Sequence, residues 1–387
     1  MEDKVLITYG WNRIAYIVNR SLALKGIKTF VGDITKITMN RFSKFTYKTF
    51  CYPNFYVDPK KFINFIISYC IEEGIQYVIP THEEGFLISK YQHIFKEANI
   101  KILLPDFEKI KIAHKKDKSC TLAKKLNIPL PETIYPKIID DVLCFFRYCN
   151  KSVVIKYLNT NSAKGVFYPK TENEVRKFER DIGNFIVQER VYGRGYGVSM
   201  LFNKGELRAK FTHKRIQEKI STGGTSTLRE STESSLLEEY AYQILKHLTW
   251  NGVAMVEFKY NEKRKQAWFI EINPRFWGSL ALSYIAGVDF PYLVYKILRD
   301  GDVEPVFNYK KGVKVKWILG GIIAFMAGLV KREFNLNHIF SKADAYDDFW
   351  KDDKNVFTGE LFFYGTKFLK TFSINPQKEA LLNIDEL

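Results

Sequence analysis

Two short apolar stretches past the middle of the sequence, MVEFK (255–259) and FIEINPR (269–275), carry the residues with the clearest chemistry. In the second, Glu271 and Asn273 stand two apart, so in an extended strand both side chains leave one face while Ile270 and Ile272 take the other. Glu257 sits between Val256 and Phe258, and the charged turn NEKRKQ between the stretches closes a hairpin that brings it alongside. Two carboxylates and a carboxamide offer hard oxygen ligands without sulphur or imidazole. Such a set suits Mg²⁺, or Mn²⁺, held together with phosphate oxygens, and does not suit zinc.

A metal that holds a triphosphate needs more positive charge around it, because the transferring phosphoryl group carries negative charge that must be balanced. Lys156 stands within the apolar strand VVIKYL, directly before a turn, and Lys118 stands at the start of a helix in KKDKSC. The turn 159–165 includes Asn161, Ser162, Ala163, Lys164 and Gly165, residues small enough for backbone amides to approach phosphates. It lacks the spacing of a Walker A loop. Further along, KFTHKR supplies His213 and Arg215, and the polar stretch STGGTSTLRES (221–231), read as a loop, supplies Arg229; both are candidates for an anionic substrate.

The elements that must position these groups begin with a βαβ unit. KVLITYG (4–10) reads as a buried strand, a helix follows through Ile14, Ile17, Val18, Leu22 and Leu24, and KTFVGD closes a second strand at Asp33. A helix at 60–73 and the strand IQYVIP (75–80) extend a doubly wound sheet. The loop TYGWNRI has one Gly where a dinucleotide fingerprint needs three, so NAD or FAD is not encoded. Pro80, Thr81, His82, Glu83 and Glu84 stand at a strand's carboxyl end, where open α/β sheets bind ligands or where acids cap the next helix. A second unit opens near 105, with a helix at 117–126, a strand at 152–158, a returning strand at VFYPK, a helix at 173–182 and a strand at 185–191. A strand pair around LFNKGELRAKF, a helix at 232–248 and the metal-bearing hairpin complete it. The tail from 307 contains an apolar helix and mixed charges, with no chemistry legible in it.

The chain has 387 residues, 46% hydrophobic and 26% charged, which suits two or three globular domains. Its formal charge of +16 would draw in any polyanion. The basic residues are scattered without interleaved aromatics, so no specific nucleic-acid partner is expected. Five cysteines without a CxxC pair, and no apolar leader, fit a reducing cytoplasmic location. The longest apolar run, WILGGIIAFMAGLV (317–330), is shorter than the about 18 to 20 residues of a membrane span. It reads as a buried helix, with peripheral membrane contact as the other use.

In order and spacing, KVLITYG, YVIPTHEE, DKSCTLAKKLNIPLPET, VVIKYLNTNSAKGV, VQERVYG, VAMVEFK and FIEINPRFWGS resemble the ATP-grasp superfamily, and within it the carbamoyl-phosphate-synthase-like carboxylate-amine ligases. The resemblance runs from about residue 2 to 300. It implies an α/β ATP-grasp fold: an open α/β amino-terminal (pre-ATP-grasp) domain over 1–104, and an ATP-grasp region over 105–306. That region would hold a small central α+β lid at about 118–190 and a larger α+β domain carrying the metal site, followed by an extension over 307–387. By position, Lys118 and Lys156 match the two nucleotide-binding lysines, and 159–165 matches the lid over the phosphates. Glu189 and Val191 match the hinge that hydrogen-bonds the adenine amino group, with Gln188 and Arg190 beside them. Glu257, Glu271 and Asn273 match the Mg²⁺ ligands, and Arg275 the arginine at the transferred phosphoryl group. The chain departs from the pattern after the hinge, where Gly193-Arg194-Gly195-Tyr196-Gly197 stands in place of a ribose-binding Glu. Its lid also carries less Gly than is usual.

The implied activity is ADP-forming ligation of a small-molecule carboxylate to an amine or other nucleophile through an acyl phosphate, with ATP and Mg²⁺. Homodimerisation is a family-level expectation. An ATP-binding regulatory or scaffold protein without turnover, and an ATP-dependent phosphotransferase, stand as alternative uses of the same site.

Overall fold

A computed structural model describes residues 2–158, 165–218, 226–330, 335–371, 382–385 and 387. Among these residues three sheets are formed. The first is parallel, in the order β3-β2-β1-β4, from β1 (Lys4–Ile7), β2 (Lys28–Asp33), β3 (Lys48–Cys51) and β4 (Tyr77–Ile79). Its first crossover is the helix Arg13–Ala23, started by Asn12, whose side chain accepts from the Ala15 amide. The helix Pro59–Glu73 has Asp58 as its cap, Pro at its first turn and Gly74 at φ 65° past its end, all three of the usual boundary signals.

The second sheet is small and antiparallel: β5 (Thr133–Ile134), β6 (Val153–Tyr157), β7 (Val166–Phe167) and β8 (Phe185–Glu189) in the order β5-β8-β6-β7. The helix Ile139–Tyr148, not expected from the sequence, covers it through Val142, Leu143 and Phe146. The helix expected over 173–182 is shorter, Glu172–Arg176, followed by a 3₁₀ turn at Glu179–Asp181.

The third sheet runs β13-β12-β9-β10-β11-β14-β15, from β9 (Arg194–Asn203), β10 (Glu206–Glu218), β11 (Ser226–Thr232), β12 (Gly252–Asn261), β13 (Gln266–Asn273), β14 (Lys314–Lys316) and β15 (Ala345–Tyr346). The stretch read as a loop at 221–231 is therefore a strand from Ser226 onward, while Thr222, Gly223 and Gly224 lie outside the described residues. The helix Ser235–His247, capped by Ser234, packs Leu237, Ala241, Ile244 and Leu245 into one core with the sheet's Val198, Val256 and Phe269.

The residues after 307 are built into this frame at both ends. β14 pairs with β11, and the helix Asn355–Thr371 lies against the turn Met39–Phe42 of the amino-terminal unit, with Phe363 stacked on Trp11 at 4.5 Å. The apolar run forms the helix Ile318–Val330, which buries Leu319 and Ile323 and exposes Ile322, Met326 and Leu329. No helix of the described residues is long and apolar enough to cross a membrane. All five cysteines are free thiols.

Candidate functional site

The three sheets and the tail enclose a cavity of about 410 Å³, and Glu257, Glu271 and Asn273 line it. Antiparallel pairing of β12 with β13 sets Glu257 directly opposite Glu271 and Met255 opposite Asn273. The Asn273 amide nitrogen lies 3.2 Å from Glu257 Oε1 and 3.5 Å from Glu271 Oε1, so all three side chains meet. The register slips just after Glu257, where Phe258 pairs with Phe269 and leaves Ile270 as an extra residue. This bulge corrects the simple alternation: Ile270, expected on the far face, lines the cavity beside Glu271, whereas Ile272 is buried in the core. Burial, with Glu271 close by, raises the Glu257 pKa against the pull of Arg215, which donates to Glu257 Oε2 at 2.5 Å. Burial opposes the charge on Arg215, but Glu257 and Glu218 outweigh it and hold the guanidinium charged. Among the described residues no three His, Cys, Asp or Glu side chains form a metal-holding group. The two carboxylates present oxygen donors, and Asn273, whose amide nitrogen bridges them here, would add its amide oxygen when turned; that donor set fits Mg²⁺.

Two lysines face this cluster. Lys156 on β6 lines the cavity, and burial lowers its pKa while Glu271 and Glu257 partly restore it. The other is not Lys118. That residue is exposed and lines no part of the cavity, whereas Lys116, 4% exposed, does and lies near Glu271. Two positions along a helix turn the side chain about 200°, so Lys116 and Lys118 point to opposite sides of the helix Lys116–Lys125. Of the turn 159–165, only Gly165 is described, with φ 67° and its carbonyl accepting from the Tyr157 amide; Asn161, Ser162, Ala163 and Lys164 lie outside the described residues.

Gln188, Glu189, Arg190 and Val191 all line the cavity at the end of β8. Gln188 is 1% exposed; its amide nitrogen donates to Thr133 at 2.9 Å, and its oxygen has no partner among the described residues. The Glu189 side chain is exposed, and Arg190 lies over the rings of Tyr168 and Tyr192 at 5.1 and 5.3 Å. Val154, Val166, Phe258 and Ile270 add apolar surface beside the end of β8.

The opposite wall draws on the amino-terminal loop, the third sheet and the tail. Arg229 is there, but from strand β11 and 1% exposed, with its guanidinium on Asp347 at 2.6 Å and on the Gly278 carbonyl at 3.1 Å. Arg275 lines the cavity and donates to the Phe276 carbonyl at 2.9 Å. The amino-terminal loop contributes Trp11, Asn12 and Arg13, and the tail contributes Trp317, Glu360 and Tyr364. Arg13 lies 3.5 Å over the Trp317 ring, which in turn donates to Glu360 at 3.1 Å. Asp33 accepts from the Trp11 amide at 3.0 Å and so fixes this loop. Glu84 accepts from the Thr81 and His82 amides and from Thr8, tying β1 to β4; it lines no part of the cavity, whereas His82 does.

His213 is 2% exposed and close to Ser279 at 3.2 Å. Burial, reinforced by Arg215 and Arg229, pulls its pKa down to about 3. The unfolded chain takes up a proton near pH 6.5 that the folded chain refuses, so the stability this residue contributes above that pH is lost as pH falls toward 3. His213→Gln is expected to make the loss of unfolding free energy between pH 6 and 5 shallower by about 1.4 kcal/mol per pH unit. Urea unfolding across that interval measures it.

Residues 181–320 match the family model described as ATP-grasp in the biosynthetic pathway with Ter operon. The carbamoyl phosphate synthase large chain of Clostridium acetobutylicum is 24% identical over 234 residues, 56% of this chain and 22% of that protein, so the match spans about a fifth of the relative's length. Among solved structures, the N5-carboxyaminoimidazole synthetase of Staphylococcus aureus, complexed with ADP, has a TM-score of 0.66 at 13% identity over 86% of this chain and 87% of its own. The biotin carboxylase of Campylobacter jejuni, in a β,γ-ATP complex, has a TM-score of 0.65 at 16% identity over 81% and 74%. The L-amino acid ligase of Bacillus licheniformis has 0.59 at 14% over 79% and 78%.

Proposed function

We propose that this chain, an α/β multidomain protein with the ATP-grasp type of architecture, is an ADP-forming ligase that joins a carboxylate to an amine through an acyl phosphate. The observation that carries this reading is the meeting of Glu257, Glu271 and Asn273 in one cavity with Lys116, Lys156 and the end of β8. Its working units are 1–104, the ATP-grasp region 105–306 with its lid at about 118–190, and the extension 307–387.

The hinge 188–191 receives the base: the main chain at the end of β8 supplies hydrogen-bonding groups at that edge, and Val154, Val166, Phe258 and Ile270 supply apolar surface. Lys116 and Lys156, held in low dielectric, direct their charge at the phosphates, where an ionic contact is stronger than in water. Glu257, Glu271 and Asn273 would hold Mg²⁺, which when bound offsets charge on the triphosphate. Arg215 fixes the Glu257 carboxylate, and Arg275 stands where negative charge grows on the transferred group. A substrate carboxylate oxygen bonds to the γ-phosphorus as the bond to the ADP oxygen breaks. The amine then attacks the acyl carbon, releasing phosphate and a proton. Enclosure by lid, amino-terminal loop and tail keeps water from the mixed anhydride.

The test is phosphate release with Mg²⁺ and ATP across pooled carboxylates and amines, with and without hydroxylamine. Hydroxamate that depends on one carboxylate supports the ligase; phosphate transfer without hydroxamate would point to a phosphotransferase; Mg²⁺-dependent ATP binding with no turnover would point to a regulatory role. The placement of the lysines gives a sharper check. Lys116→Met is expected to weaken Mg-ATP binding by about tenfold or more, as loss of a charged hydrogen bond does, while Lys118→Met leaves it unchanged. Calorimetric titration of both variants decides between them.

A further inference from the structure

We propose that the helix Ile318–Val330 and the short helix Asn337–Phe340 form one docking surface for an anionic lipid bilayer, on which the chain lies without crossing it. All 13 residues of the longer helix are apolar or Gly. Leu319 and Ile323 are buried against Phe357 and Tyr364 of the helix Asn355–Thr371, whereas Ile322, Met326 and Leu329, four and three positions apart, form a second stripe that is exposed. The short helix is fastened to the base of the longer one. The His338 carbonyl lies 2.6 Å from where a Cβ on Gly321 would stand, Lys316 donates to the Ile339 carbonyl at 2.6 Å, and Gln217 donates to the Asn337 carbonyl at 2.9 Å. Held in this way, it still leaves Leu336 54% and Phe340 74% exposed.

Exposed apolar residues scattered singly are ordinary, but a group of them on two joined helices marks a place of attachment. Charge selects the occupant. Between 318 and 342 the sequence has the basic residues Lys331, Arg332 and Lys342 and the acid Glu333. Of the acids that follow, Asp344 and Asp352 are exposed, the latter paired with Arg20, while Asp347, Asp348, Asp353 and Glu360 are buried and offer nothing to the surface. The chain as a whole carries +16, so a second copy would bring like charge to this face. A bilayer with anionic headgroups supplies the opposite charge, together with an acyl boundary for the exposed side chains. The surface also shares a rigid helix with the cavity: Trp317, directly before that helix, lines the cavity, and Leu329 lies about 18 Å further along its axis.

The experiment is co-flotation of the full chain with vesicles of phosphatidylcholine alone and of phosphatidylcholine with about a third phosphatidylglycerol. We expect about tenfold or more chain on the anionic vesicles, falling as salt rises. Met326→Glu combined with Leu329→Glu is expected to lower that binding by about tenfold or more, at the melting temperature and Mg-ATP affinity of the parent chain, because these side chains stand outside the core. Phe340→Ser, on the other helix, should lower it by about threefold. No excess on the anionic vesicles hands the face to a protein partner and overturns the proposal. Equal binding of the double variant does so too, since the net charge alone would then hold the chain to lipid. A parent chain that is dimeric without lipid, and monomeric once Met326 and Leu329 are replaced, makes this face the seat of a second copy and likewise overturns it. None of these readings depends on turnover, so they stand or fall apart from the ligase reading.

Discussion

Glu271→Ala is expected to lower ATP-dependent turnover by about 1,000-fold, the loss of several kcal/mol that follows when a metal ion on a transferring phosphoryl group is misplaced. Glu271 is half-buried on β13, the outermost strand of its sheet, so the fold should survive the change. An unchanged melting temperature would then assign the loss to chemistry. Raising Mg²⁺ should recover part of the rate, because the remaining ligands Glu257 and Asn273 still meet. Turnover within about tenfold of the parent chain would count decisively against this triad as the metal site.

Asp347→Ala should act on stability. Arg229 and Asp347 are each 1% exposed and 2.6 Å apart, and Arg13 lies 3.5 Å from the same carboxylate. Removing one member of a buried pair leaves an uncompensated charge, which destabilises by about 3–5 kcal/mol. Replacing both, as Asp347→Leu with Arg229→Met, should restore most of that, since two apolar side chains need no partner. Urea midpoints of the three chains measure it; a single-variant loss under about 1 kcal/mol would mean that water reaches Arg229.

What the sequence revealed follows from which residues carry period and which do not. The hairpin was legible because MVEFK and FIEINPR alternate around apolar residues, but the bulge at Ile270 leaves no mark in composition and only pairing exposes it. β11 was read as a loop because its buried face is polar. Thr227, Arg229 and Ser231 stand two apart at 0%, 1% and 1% exposed, a strand rhythm without the hydrophobic content that normally announces one. Lys116 and Lys118 share one turn, and no property of either residue says which side faces inward. The tail was opaque for another reason. Its acids Asp347, Asp353 and Glu360 look like a solvated run, yet each is buried against groups more than 300 positions earlier, such as Arg13, Tyr16 and Ser43.

That separation bears on synthesis. The amino-terminal sheet has its own strands early, but Arg20 meets Asp352, Tyr16 meets Asp353 and Trp11 meets Phe363 only after residues 352–363 have been made. At about 5–20 residues per second, the growing polypeptide carries these aromatic and cationic surfaces uncovered for tens of seconds. Closing contacts of such long sequence range is slow, and until then the nascent protein presents an adhesive face to its neighbours and to chaperones. The arrival of residues 347–364 also closes the cavity, so a chain stalled before them would hold the hairpin of Glu257, Glu271 and Asn273 without that wall.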